Sequence, residues 1–134
     1  MIEGIFQRLT AILQKGIELS WLRQNLISAN IANAETPGYK PREIDFEGEM
    51  KRFLSEGELR PLRTHPLHLP LLGEAAPQVF PKRGWAVTPD ENGVDLEEEM
   101  AELAENYLRY TSLVQFLRRQ LGMLRYSIRE GGTF

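Results

Sequence analysis

One stretch near the C-terminal end decides the fold: DLEEEMAELAENYLRYTSLVQFLRRQLGMLRYSIRE, residues 95–130. Its apolar and aromatic side chains recur at spacings that alternate between four and three residues. They are Leu96, Met100, Leu103, Tyr107, Tyr110, Val114, Leu117, Leu121, Leu124 and Ile128, which we call the heptad seam. A repeat of about 3.5 residues keeps one stripe of a helix against a partner helix. A helix that only covered its own globular core would normally show a wider, less regular stripe. The seam therefore favours a long helix in a coiled-coil-like pair.

The ends of this stretch also fit a single helix. Asp95 can cap the first turn, and Gly131 with Gly132 ends the pattern. The part before residue 108 is acidic, and the part after it contains five arginines. This segregation of charge matches the helix macrodipole. It also gives the helix unlike ends, so head-to-tail stacking of copies is a further hypothesis.

A second helix is predicted over residues 1–34. Apolar residues at three-four spacing share one face: Ile5, Leu9, Ile12, Leu19 and Leu26. Gly16 interrupts this face, and a glycine inside a helix costs about 1 kcal/mol relative to alanine. The sequence leaves open whether Gly16 allows a neighbouring backbone to approach or is simply a weak point.

The middle of the chain, residues 35–93, contains all eight prolines. Prolines at this frequency are incompatible with a long helix. We predict an extended segment with a short helix near residues 46–54 and a short strand pair near residues 79–80 and 85–87. The fold class is therefore mainly α, in three parts: an N-terminal helix (1–34), an extended Pro/Gly-rich segment (35–93) and a C-terminal helix (94–134).

The predicted helices are too long for a compact domain of this size. A helix of about 34 residues measures about 50 Å, whereas a globular chain of this length is about 35–40 Å across. Two such helices leave apolar side chains uncovered. The expected ones are Phe6, Leu13, Leu22, Leu108, Phe116 and Met123. Copies of the chain or other subunits are the expected cover.

Several functional classes have no support in the sequence. The chain lacks cysteine, and its net charge of -3 is too small to attract nucleic acid. His65 and His68 are candidate metal ligands with Glu58 or Glu74, but Pro66 lies between them and no second ligand pair follows at a standard spacing. Neither a phosphate-binding glycine loop nor a serine elbow occurs. We expect no enzyme, cofactor, metal, nucleic acid or small-molecule substrate.

A motif follows the first predicted helix. Asn30 and Asn33 lie in the run SANIAN, and Thr36, Pro37, Gly38 and Tyr39 form a TPGY turn. Proline fixes the second position of such a turn and glycine supplies positive φ at the third. This motif resembles the signature of the flagellar rod, hook and hook-associated axial proteins. With IDFE at 44–47 and VDLEEEMAELAEN at 94–106, the chain is most similar to the proximal rod proteins of the flagellar basal body.

Two groups of proximal rod proteins share the first motif. In the sister group the C-terminal helix usually opens with Asn-Pro or Asn-Val and carries an Arg-x-Tyr-x-x-Asn pattern. This chain has NYLRY at residues 106–110 instead, so the resemblance favours the other group. The heptads alone would also suit a soluble coiled-coil adaptor or an export chaperone. Such proteins do not need the TPGY turn or the long proline-rich segment.

The resemblance implies a structural role. Axial proteins of this kind pair their N- and C-terminal helices in a dense tube and leave the cell through the flagellar type III apparatus. Charged residues interrupt the apolar runs of the N-terminal stretch, which fits export without a cleaved Sec signal. A proximal rod subunit would lie in the periplasm at the rod base, against other rod subunits, the export gate and the membrane ring, and would transmit torque. The candidate assembly residues are the six motif residues, from Asn30 to Tyr39, and the heptad seam.

Overall fold

The computed structural model of the chain describes residues 2–56, 76–83, 89 and 91–130. Its elements are α1 (Ile2–Ala32), β1 (Arg42–Ile44), α2 (Phe46–Glu56), β2 (Val79–Pro81) and α3 (Leu96–Glu130). The two long helices pack against each other. They run antiparallel, because Glu99 near the start of α3 meets Asn30 near the end of α1, whereas Gln120 meets Thr10. The predicted mainly α fold with paired terminal helices is confirmed.

Side-chain caps start two of the helices. At α3, one carboxylate oxygen of Asp95 accepts hydrogen bonds from the backbone N–H groups of Glu97 and Glu98 at 3.0 and 3.2 Å. At α2, Asp45 accepts from Gly48 N–H at 2.9 Å. Each cap satisfies donors that a helix start leaves without a partner. The cap at Asp95 and the short helix after Asp45 were both predicted. The predicted stop at Gly131 lies outside the described residues.

The two strands form a small antiparallel sheet. Arg42 pairs with Pro81 and Ile44 pairs with Val79. The strand predicted near residues 79–80 is therefore present, and it pairs with the chain just after the TPGY turn. Its predicted partner, residues 85–87, lies outside the described residues. The sheet holds the returning middle segment beside the end of α1.

The packing of the described residues is unusually polar. The buried large apolar side chains among the described residues are Leu19 and Ile27 of α1 and Ile44 of β1. Eight polar or charged residues are buried with them: Ser20, Asn30, Glu49, Lys82, Asn92, Glu99, Asn106 and Gln120. Buried polar groups need hydrogen-bond partners, so the ones that bond between the two helices constrain how α1 and α3 fit together: Asn30, Glu99, Asn106 and Gln120.

Much apolar surface remains uncovered on α3. Of the six side chains expected to be exposed, Leu108, Phe116 and Met123 are exposed. The other three, Phe6, Leu13 and Leu22, are half-buried. None of the described helices combines the length and the hydropathy needed to cross a lipid bilayer.

Candidate functional site

The line of α3 that faces α1 is largely polar. It consists of Glu99, Asn106, Leu113 and Gln120, spaced seven residues apart, and its three polar members are buried. A seven-residue spacing places side chains on one line along a helix that packs against another helix. This column faces α1 directly, and only Leu113 in it is apolar. Half-buried seam residues and the Arg23–Glu102 ion pair at 3.7 Å flank the column.

Asn106 and Gln120 of this column bind the backbone of α1, whereas Glu99 binds the side chain of Asn30. The amide of Asn106 donates to the carbonyl oxygen of Ser20 at 2.9 Å and to Gln24 Oε1 at 2.8 Å. The amide of Gln120 donates to the carbonyl oxygen of Phe6 at 3.1 Å and to the hydroxyl of Thr10. Polar groups at such positions fix the register of a helix pair, because a shifted register leaves them without partners.

Gly16 lies opposite Leu113. A Cβ atom at Gly16 would be 3.2 Å from Leu113 Cδ1, which is tighter than ordinary van der Waals contact. The glycine therefore allows a close approach, and its neighbour is a side chain and not a backbone. The structure therefore differs from both explanations that the sequence left open, because Gly16 makes room for a side chain and not for a neighbouring backbone.

The heptad seam does not lie wholly against α1. Leu103, Tyr110, Val114 and Leu117 are half-buried. The other six members are exposed: Leu96, Met100, Tyr107, Leu121, Leu124 and Ile128. The column from Glu99 to Gln120 points directly at α1, because only then do its amides reach the carbonyl oxygens of that helix. The heptad seam therefore lies to one side of the contact. Within one chain the seam is therefore a partial contact, and its outer side remains open.

The open side forms a continuous line along α3. Every seventh residue contributes: Met100, Tyr107, Val114, Leu121 and Ile128, which we call the outer stripe. Four of these are largely exposed, at 57% for Met100, 60% for Tyr107, 48% for Leu121 and 68% for Ile128, and Val114 is half-buried. Exposed apolar side chains aligned over several helical turns are typical of a surface that packs against another protein.

Asn30 is the centre of a second feature, the Asn30 junction. Its amide nitrogen donates to the carbonyl oxygen of Arg42 at 2.9 Å and to Glu99 Oε2 at 3.0 Å. Its amide oxygen accepts from the backbone N–H of Arg42 at 3.0 Å and from the Tyr39 hydroxyl at 3.2 Å. These four bonds use both donors and both lone pairs of the buried amide. One side chain thus joins the end of α1, the TPGY turn, β1 and α3.

Lys82, which directly follows β2, adds further contacts to the Asn30 junction. Its ammonium contacts Glu102 at 2.7 Å, Glu99 at 3.1 Å and Glu98 at 3.3 Å. Its backbone N–H donates to the carbonyl oxygen of Pro41 at 2.8 Å. Burial alone would lower the pKa of Lys82, but the hydrogen bonds and charges of Glu102 and Glu99 outweigh it, and the pKa is raised above its ordinary value.

The TPGY turn is fixed by neighbouring asparagines. Asn33 donates to the carbonyl oxygen of Ala29 at 2.8 Å and accepts from the Thr36 hydroxyl at 3.1 Å. Asn92 donates to the carbonyl oxygens of Asn33 and Thr36 at 2.9 and 2.6 Å. Gly38 has a φ of +71°, as the turn prediction required. Pro37 is exposed.

The structure therefore places the sixteen predicted residues in two groups. The motif residues Asn30, Asn33, Thr36 and Tyr39 bind one another or the elements beside them, and the seam residues lie along α3. Residues that sequence reasoning missed are Lys82, Asn92, Glu99, Asn106 and Gln120. The seven-residue spacing of Glu99, Asn106 and Gln120 was a visible signal, whereas Lys82 and Asn92 carried none.

Metal ligands do not cluster in the described part of the chain, where groups of three or more His, Asp or Glu side chains of suitable geometry are absent. The candidate ligands His65, His68, Glu58 and Glu74 lie outside the described residues.

A pair of long helices with an uncovered apolar face, fixed at one end by a polar junction, defines the class: a helical protein that assembles with other subunits. A family model described as "Flagella basal body rod protein" matches residues 22–40, which run from the second half of α1 through the TPGY turn. The chain belongs to the FlgB family of flagellar basal body rod proteins, as its relatives show.

Three relatives named flagellar basal body rod protein FlgB illustrate the similarity. The chain is 41% identical over 114 residues to the protein of Cereibacter sphaeroides strain ATCC 17023, covering 80% of this chain and 83% of that one. It is 34% identical over 140 residues to the protein of Salmonella typhimurium LT2, covering 96% and 100%. It is 33% identical over 119 residues to the protein of Escherichia coli K12, covering 83% and 86%. These matches support the rod-protein hypothesis over its sister group, FlgC, and over an adaptor or chaperone.

Proposed function

We propose that this chain is a structural subunit of the flagellar proximal rod that assembles through its long helices and transmits motor torque. The observation that carries this proposal is the exposed outer stripe of α3. The junction at Asn30 and the column from Glu99 to Gln120 give α1 and α3 a defined arrangement, yet this arrangement leaves the stripe in water. A neighbouring subunit would bury the outer stripe.

The size of the stripe supports assembly. Burial of apolar surface contributes about 25 cal/mol per Å², so covering several large side chains over four heptads, or about eight helical turns, is worth several kcal/mol per contact. Met100, Tyr107, Leu121 and Ile128 are large and largely exposed. Repeated around a tube, contacts of this strength hold subunits together under load. Rigid helices with fixed register also suit torque transmission, because they deform little.

Family membership supports a location in the flagellar basal body. We place it in the periplasm at the base of the rod, in contact with other rod subunits, the export gate and the membrane ring. Export through the flagellar apparatus is part of this proposal. The role is structural and assigns no catalytic step, cofactor or metal to the chain.

The experiment compares two identical changes at exposed leucines. Leu121 belongs to the outer stripe and is 48% exposed, and Leu54 lies on α2 and is 39% exposed. We expect Leu121→Asp to abolish swimming in the host bacterium, because assembly would bury an unpaired charge. Leu54→Asp should leave swimming intact. Both purified variants should unfold in urea at the same midpoint as the unmodified chain.

The urea comparison separates assembly from folding. Normal swimming with Leu121→Asp would show that the outer stripe is not an assembly surface. Loss of swimming with both variants at unchanged stability would show that an exposed leucine outside the stripe is equally important, and the claim that the stripe has a distinct role would be wrong.

A further inference from the structure

The small sheet has two edges, and its register shows which backbone groups point out of each. Residue pairs in an antiparallel sheet alternate between pairs that exchange hydrogen bonds and pairs that do not. The N–H of Lys82 donates to the carbonyl oxygen of Pro41 at 2.8 Å, so these two residues form a bonded pair. The next pair, Arg42 with Pro81, is therefore non-bonded. The backbone groups of a non-bonded pair point away from the partner strand, towards the two edges.

Asn30 occupies the edge formed by β1. Its amide nitrogen donates to the carbonyl oxygen of Arg42 at 2.9 Å, and its amide oxygen accepts from the N–H of Arg42 at 3.0 Å. A residue of a neighbouring strand would make the same two kinds of bond. The two bonds show that the backbone groups of Arg42 point out of the sheet, and they close this edge without a third strand.

The strand β2 forms the other edge. Its outward-pointing residues are Val79 and Pro81, since Val79 also belongs to a non-bonded pair. The N–H of Gln78 points the other way and donates to Glu49 at 3.0 Å, which agrees with this alternation. All three residues of β2 are exposed, including Val79 at 41% and Phe80 at 43%. An exposed apolar edge strand is a site at which the sheets of two copies can join.

We propose that Pro81 closes the β2 edge to a second copy of the chain, so that copies do not join through this sheet. Proline has no N–H, and a proline on an edge strand therefore blocks pairing with a further strand. Pro81 removes one of the two donors that β2 would otherwise present at this edge. With Asn30 on the other edge, the sheet stays two-stranded. The inference goes beyond the rod function, because it concerns a contact that assembly must avoid.

Without the proline, the β2 edge would be complementary to itself. Two antiparallel copies of β2 with Phe80 opposite Phe80 would place Val79 opposite residue 81 of the other copy. An N–H at residue 81 would give four hydrogen bonds between the copies, two for each such pair. With Pro81, only the two bonds donated by Val79 remain. A register centred on Val79 also keeps two bonds, because it places Pro81 opposite Pro77, and neither has an N–H.

The proline costs the subunit no hydrogen bond within its own sheet. Pro81 belongs to a non-bonded pair, so β1 would not use an N–H at this position. The change Pro81→Val therefore adds an outward donor and leaves the bonds between β1 and β2 as they are. It alters the edge without altering the fold, which makes the proposal testable in the full chain.

Disulfide cross-linking at Phe80 measures pairing through this edge. The natural chain contains no cysteine, and opposite residues of a non-bonded pair have Cα atoms about 4.5 Å apart, within the range of a disulfide. The purified chains F80C and F80C/P81V would be treated with a mild oxidant at equal concentration and analysed by non-reducing electrophoresis. We expect F80C/P81V to form the disulfide dimer about tenfold faster, because two further hydrogen bonds join the copies.

A matched control moves the proline to the other outward-pointing residue. In V79P/F80C/P81V the edge again has one donor, and the fold is kept because β1 does not use the N–H of Val79. Its cross-linking rate should return to that of F80C. Urea unfolding compares the stability of the three chains. If F80C/P81V is less stable, F80C/P81A restores the same N–H with a smaller side chain and should still cross-link faster than F80C.

Three results would overturn the proposal. Equal slow rates in F80C and F80C/P81V would show that the added donor does not open the edge. Fast cross-linking in F80C would show that the edge is open with Pro81 in place. Fast cross-linking that persists in V79P/F80C/P81V would show that the copies meet without these hydrogen bonds. None of these results bears on the outer stripe, which is tested by swimming, so the two proposals fail separately.

Discussion

Asn30 of α1 and Glu99 of α3, separated by 69 positions in the sequence, are joined by a buried hydrogen bond of 3.0 Å. The same carboxylate contacts the Lys82 ammonium at 3.1 Å. Glu99 therefore links the end of the first helix to the segment that returns from the middle of the chain. A buried carboxylate is tolerated only where donors surround it, so the three residues depend on one another.

The first prediction concerns the amide at the centre of the junction. Asn30→Ala should destabilise the isolated chain by about 2–4 kcal/mol, because four hydrogen bonds are lost and Glu99 keeps one donor fewer. Urea unfolding followed by circular dichroism measures this. Asn25→Ala is the matched control, since Asn25 is exposed on the same helix. It should change stability by less than about 0.5 kcal/mol. Equal effects would mean that the junction does not stabilise the fold.

The second prediction concerns the ammonium at the junction. Lys82→Met keeps the length of the side chain and removes its charge, which leaves Glu99 and Glu102 facing each other. We expect a loss of about 3 kcal/mol in the free energy of unfolding. Lys40→Met, an exposed change nearby, should cost less than about 0.5 kcal/mol. A Lys82→Met variant as stable as the unmodified chain would show that this cluster contributes nothing net.

Because the pKa of Lys82 is raised, the stability that this cluster contributes should depend on pH. The folded chain holds this proton more tightly than the unfolded chain, whose lysine has the ordinary pKa of 10.5. The stabilisation from Lys82 is therefore complete below pH 10.5 and is lost as pH rises above it. Urea midpoints measured from pH 8 to pH 11.5 should fall more steeply at the alkaline end for the unmodified chain than for Lys82→Met. Parallel curves would contradict the raised pKa.

The third prediction concerns the close approach at Gly16. Gly16→Leu should separate α1 from Leu113 and cost about 2–3 kcal/mol. Adding Leu113→Ala should recover part of this loss, since the double variant restores space at the same point. A double-mutant cycle measures the coupling. Gly122→Ala is the contrasting change, because a Cβ there meets nothing within 4 Å among the described residues, and the isolated chain should gain about 1 kcal/mol. Additive effects at Gly16 and Leu113 would refute their contact.

The helices were predictable from the sequence because they depend on local signals. Asp95 caps α3 and Asp45 caps α2 as expected from residue type alone. Periodicity also identified the apolar side of α3. It did not identify which line of α3 meets α1, because Asn106 and Gln120 bind backbone carbonyl oxygens and such oxygens are present at every residue of a partner. A pattern of side chains in the sequence cannot show which carbonyl oxygens of the partner helix they will reach.

The junction was only partly predictable. The TPGY turn follows from proline and glycine chemistry, and Gly38 has the expected positive φ. The roles of Lys82 and Asn92 could not be inferred, because both lie beyond the proline-rich segment and contact residues far away in sequence. Contacts of this kind depend on the path of the chain, which turn residues determine only locally. Asn30 was selected from its motif, but its four hydrogen-bond partners required the structure.

The position of the junction has a mechanical consequence. Asn30, Lys82 and Glu99 tie four segments together at one end of the helical pair, whereas the bonds from Gln120 to Phe6 and Thr10 join only the two helices near the other end. Bending resistance therefore decreases along the molecule, from an anchored base to a compliant tip. A compliant tip can adjust its direction to a neighbour during docking, while the anchored base keeps its shape as the load passes through it.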